Sequence, residues 1–161
     1  MEAYASELLA LPDEVLFTHR GCHVFALALK ERFQYPLLWV REECGKHDHV
    51  ASAPEEGRLV DLFGWFSYRE YIRAEMLDEL GIRFLPIQAQ QVERRFIFAP
   101  GKGYYAHPDF FIPATERARA WIAKYREYFD GTEKAAIPGF ERAKKASDQA
   151  VDAIITFQKP V

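Results

Sequence analysis

Apolar positions recur at helical spacing between Cys22 and Phe33, where Phe25, Ala26, Leu29 and Phe33 share one face with Cys22 at its head. This predicts a buried helix. The next apolar run, "YPLLWV" from Tyr35 to Val40, is short and follows a proline, and predicts a buried strand before a polar loop over 41–46. "HVASA", His49 to Ala53, and "RLVDLFGW", Arg58 to Trp65, read as antiparallel strands joined by "PEEG", whose proline and glycine suit a tight turn. Ser67 and Glu70 have the spacing of a capping box, opening a helix that Gly81 closes. "IRFLPIQ" and "VERRFIFA" predict two further strands, the second alternating about Phe96, so the sheet reaches four or five strands. Residues 3–10 predict a short helix stopped by "LPDE". "PATERARAWIAKYREYF" predicts an amphipathic helix after Pro113, and the segment from Glu133 to Phe157 one more, broken near Pro138 and Gly139.

The expected fold is therefore α+β: the helix bearing Cys22 packed on a small antiparallel β-sheet, with additional C-terminal helices. At 161 residues the chain is expected to form a single domain over 1–161, its core about 15–100 and its helical C-terminal part about 114–157. An apolar fraction of 49% is too high for a disordered chain. A net charge of −3 carries no basic footprint, which argues against nucleic acid as a partner. The N-terminus has acidic residues where a secretory signal carries basic ones, and no apolar run has the length of a membrane span. With only Cys22 and Cys44 there is no disulfide framework, although one bridge between the two stays open, and a reduced, cytoplasmic protein is expected.

Chemistry concentrates at Cys22. A thiol attacks as its thiolate, which is favoured at a helix head by unpaired backbone N–H groups and by the positive end of the helix dipole. Gly21, just before it, would leave room for a substrate to reach the sulfur. An imidazole must then accept and return a proton, and a third polar group must orient that ring; His49 and Asp61 suit these roles. With "PEEG" as the turn, Ala53 and Arg58 flank the loop and His49 falls close to Leu62. Asp61 is adjacent, but shares a face with His49 only if a bulge or register shift intervenes.

Other readings compete. His47 shares a strand face with His49 and is a second candidate base, while His23 should point away from Cys22 and serve in packing or support. Cys44, His47 and His49 form a C-x2-H-x-H cluster that matches no strong zinc signature, so neither a metal nor another cofactor is expected. "PGKGYYAHPD", Pro100 to Asp109, lacks the full phosphate-loop pattern and reads as a surface turn. Phe63, Trp65, Phe66, Tyr68 and Tyr71 read mostly as core, one of them a wall of a substrate groove.

The phrases "GCHVFALAL" and "HVASAPEEGRLVDLFGW", within residues 17–66, resemble the papain-like superfamily in its transglutaminase-like branch, in particular small bacterial and phage-borne proteins. The resemblance implies Cys22 as nucleophile, His49 as base and Asp61 as orienting acid. It also implies a hydrolase or acyl-transfer enzyme acting on a protein, peptide or other amide. The intervals between the three residues are shorter than in larger members, and no upstream glutamine supplies an oxyanion donor. The backbone N–H of Cys22, or the side chain of Thr18 or His19, would serve instead. A non-catalytic binding or regulatory protein on the same scaffold is the alternative expectation.

Overall fold

The computed structural model describes residues 2–43, 48–71, 81–97, 103–145 and 149. Pro12 divides the N-terminal segment into two helices rather than ending a single one: α1 (Glu2–Leu9) and α2 (Asp13–His19). Asp13 and Glu14 occupy the first turn of α2, where the helix dipole favours acidic residues. The chain then re-enters a helix at once, α3 (Cys22–Phe33), which ends on Gln34 in the left-handed region at φ 60°.

Five strands form one antiparallel sheet: β1 (Leu37–Arg41), β2 (Asp48–Glu55), β3 (Arg58–Asp61), β4 (Gly64–Ser67) and β5 (Arg83–Ile87), in the order β4-β3-β2-β1-β5. The α+β expectation holds, with α3 between the sheet, chiefly β2, and the long C-terminal helix. Phe17, Phe25, Leu29, Phe110 and Phe129 are fully buried between these layers.

Three elements differ from expectation. "RLVDLFGW" is not one strand: it reverses at Leu62 and Phe63 and returns as β4, with Gly64 at φ 102°. The described part of "VERRFIFA", residues 92–97, is helical, as α5 (Ala89–Val92) running into a π-helical turn (Glu93–Ile97). Gln88 and Gln91 form a reciprocal capping box that starts this element, and Val92, Phe96 and Ile97 bury one side of it, so the alternation about Phe96 was coincidental. The helix expected after Pro113 begins earlier, as α6 (Pro108–Lys124), capped by His107, whose Nδ1 accepts from Asp109 N–H, with Pro108 in the first turn.

Ser67 and Glu70 make their capping box at the head of α4 (Tyr68–Tyr71), with Ser67 N–H donating to Glu70 Oε2 at 2.7 Å and Glu70 N–H to Ser67 Oγ at 3.1 Å. The rest of that expected helix lies outside the described residues. Residues 140–145 are helical, whereas Ala136 instead bridges to Gly64 at the sheet edge. Among the described residues no helix is long and apolar enough to cross a membrane.

Candidate active site

Cys22 is the first residue of α3, preceded by Gly21 as N-cap. Gly21 N–H donates to Leu16 O at 2.6 Å, which turns the chain sharply from α2 into α3. A side chain at Gly21 would sit 3.3 Å from Phe17 Cδ1 and 3.4 Å from Leu16 O. The glycine therefore allows the two helices to meet closely. Cys22 is a free thiol, 8% exposed.

His49 comes from β2 and Asp61 from the end of β3. The register of β2 with β3 shifts between Ser52 and Glu55, a bulge at Ala53 and Pro54, so that Ser52 pairs with Val60 while Glu55 pairs with Arg58. Continuing the Ser52–Val60 register outward sets His49 opposite Phe63, and Asp61, two residues from Phe63, then lies on the same face as His49. The hairpin turn is tighter than "PEEG": Glu56 and Gly57 make it, with Gly57 at φ 72°.

His49 Nε2 lies 3.7 Å from Asp61 Oδ2, with side-chain exposures of 16% and 7%. That is an ion-pair distance, longer than a hydrogen bond, and contacts of this kind tighten when a catalytic site is occupied. Asp61 is held independently: its Oδ1 accepts from Phe63 N–H at 2.8 Å across the β3–β4 turn. The turn is itself clamped, because Trp121 Nε1 donates to Leu62 O at 3.0 Å and Ile137 N–H to Phe63 O at 2.8 Å. Residues far along the chain thus set the position of the acid.

The electrostatics follow from this geometry. Burial alone would raise the Cys22 pKa, but the charge of His49 and hydrogen bonds from His23 and His49 outweigh it and hold the thiol well below its ordinary value. Burial would lower His49, yet the Cys22 charge and then the Asp61 carboxylate push it up to about 10. Each group's charge favours the charged form of the other, so the two titrate as a pair. With Nε2 turned to Asp61, Nδ1 is the ring nitrogen left for the sulfur. Cys22, His49 and Asp61 also line one closely packed pocket, too tight to admit a water molecule, with Phe17, Phe25 and Leu62.

Tyr71 belongs to the site in a way that sequence reasoning missed. Its ring stacks on His49 at 5.8 Å between centroids and 26° between planes. Burial, the nearby charges of Asp61 and Cys22, and a hydrogen bond to Asp61 raise its hydroxyl well above the ordinary range. The sequence placed Tyr71 among core aromatics, and only the fold brings it over the imidazole.

The remaining candidates are placed as follows. His23 is 2% exposed, packed edge-on against Tyr105 at 4.8 Å and stacked with Phe96 at 6.2 Å, with Nε2 unpartnered. It is more than packing, since it adds to the lowering of the Cys22 thiol. Thr18 Oγ1 donates to Glu14 O within α2, which removes it as an oxyanion donor, and His19 is exposed at the end of that helix. His47 and Cys44 lie outside the described residues, and with them the C-x2-H-x-H cluster. Among the described residues no group of His, Cys, Asp and Glu could hold a metal ion. In "PGKGYYAHPD", Gly103–Ala106 form a 3-10 turn leading into α6.

No family model, curated protein or solved structure matches the chain.

Proposed function

We propose that this protein is a cysteine-dependent hydrolase or acyl-transfer enzyme that works through Cys22, His49 and Asp61, in the manner of the transglutaminase-like branch of the papain-like superfamily. The observation that carries the reading is that Cys22 at the head of α3, His49 and Asp61 line one pocket, with the carboxylate clamped behind the imidazole. A structural cysteine needs none of these partners.

In the proposed reaction the Cys22 thiolate attacks the carbonyl carbon of an amide or thioester, forming an S–C bond as the C=O pair moves onto oxygen. That oxyanion faces the first N–H groups of α3, which the helix leaves unbonded. Collapse of the intermediate expels the leaving group, which takes the proton from His49, and an acyl-enzyme remains. His49, now neutral, removes a proton from water or an acceptor amine as it attacks the acyl carbon, and the thiolate is released. Asp61 stabilises the imidazolium throughout. The pocket at the sulfur is too tight to admit a water molecule, so in this reaction the residues lining it part to let substrate in.

The test is acylation by p-nitrophenyl acetate followed by mass spectrometry. The proposal predicts one acetyl group on Cys22 that turns over, and its loss in Cys22→Ser. An acetyl group found on Cys44 or lysines, with Cys22 untouched in the folded protein, would contradict it. The 8% exposure of Cys22 favours the second reading, a binding protein on the same scaffold, and that second result would support it.

A further inference from the structure

The antiparallel pairing of β1 with β5 sets Arg41 directly opposite Arg83. Like charges in that position repel. Arg94 and Arg95, both exposed on the π-helical turn, add two further cations near the same strands. Among the described residues none of the four makes an ion pair. Arg95 Cζ lies 4.2 Å from the Trp39 ring centroid and Arg41 Cζ 4.9 Å. Asp48 stands across β2 from Arg41, but its Oδ1 accepts from Trp39 Nε1 at 3.0 Å and so fixes the ring. Trp39, Leu85, Pro86, Ile87, Arg94 and Arg95 line an open groove of about 680 Å³.

We propose that this groove is a docking site for an acidic peptide segment bearing apolar side chains, with Arg41, Arg94 and Arg95 around Trp39 holding its carboxylates. The lining matches such a segment at both levels. Leu85, Pro86, Ile87 and Trp39 offer an apolar floor, and guanidinium groups stacked on an aromatic ring keep their N–H forks free for bidentate contact with carboxylates. Nucleic acid fits less well. A base seeking to stack on Trp39 would have to displace an arginine, and the chain as a whole carries a charge of −3. Strand addition to the outer edge of β5 is opposed by Pro86, which has no N–H to offer. Side-chain contacts therefore carry the recognition, and the site is independent of the chemistry at Cys22.

The experiment is fluorescence anisotropy of the full chain with a fluorescein-labelled peptide of repeating Glu-Glu-Leu units, a Lys-Lys-Leu control and single-stranded oligouridine as competitor. The acidic peptide should bind saturably, more weakly as salt rises, and about tenfold or more weakly to the Arg94→Glu/Arg95→Glu variant. Circular dichroism of that variant should be unchanged because both side chains face solvent. Cys22→Ser should bind as the parent does, which separates this proposal from the catalytic one. Absence of saturable binding, indifference to the double charge reversal, or preferential binding of oligouridine would overturn it.

Discussion

At the residue scale, the acid of the site is oriented by its own turn. Asp61 gives one oxygen to Phe63 N–H and the other to His49, so replacing it with asparagine should leave the turn bond intact and remove the charge. Asp61→Asn is expected to lower the His49 pKa from about 10, since the Asp61 carboxylate raises it. Turnover should fall on the order of a hundredfold or more. The imidazole proton shift followed by NMR against pH checks the first, and p-nitrophenyl acetate kinetics the second. Tyr71→Phe keeps the stack on His49 and should cost only a few-fold in turnover, whereas Tyr71→Ala loses it and should cost about tenfold. Cys22, His49 and Asp61 were legible in the sequence as an ordered set of chemical types. The place of Tyr71 was not, because nothing local to that residue records which ring the fold sets beside it.

At the element scale, the β3–β4 turn carries the account. Gly64 has φ 102°, and a methyl group there would meet Ala135 O at 2.5 Å. Gly64→Ala should destabilise the protein by on the order of 3 kcal/mol, from backbone strain and the clash together, and should lower Cys22 reactivity by displacing Asp61. Urea denaturation and alkylation of the same sample test both. Arg117 on α6 ties the N-terminal helices down in a similar way, donating to Leu9 O, Leu11 O and Asp13 Oδ1 at 2.7–2.8 Å. Arg117→Ala leaves those acceptors short of a partner and should cost about 2 kcal/mol in the same denaturation assay. The Cys22 helix and the β2–β3 hairpin followed from periodicity and turn residues. The bulge at Ala53 and Pro54 did not, although it decides whether His49 and Asp61 share a face. The turn at Leu62 and Phe63 was hidden because its residues are apolar, so "RLVDLFGW" looked like uninterrupted strand.

At the scale of the whole molecule, the coupled pair should shape stability against pH. His49 is raised from 6.5 to about 10, so its contribution is complete below 6.5 and is lost as pH rises through about 10. Cys22 is depressed from 9.0, so its contribution is complete above 9.0 and is lost as pH falls through its lowered value. Together they give a plateau of stability between 6.5 and 9.0 that declines on both sides. Cys22→Ala should flatten that profile when urea midpoints are compared across pH. The same pair sets the reactivity of the thiol.

The most direct measurement of the central claim is the pH dependence of Cys22 alkylation by iodoacetamide in a Cys44→Ser background, with and without His49→Ala. The account predicts rapid alkylation whose apparent pKa lies well below that of a free thiol, about 8.5, and a return to or above that value when His49 is removed. A Cys22 that resists alkylation until the protein unfolds, or whose profile ignores His49→Ala, would contradict it.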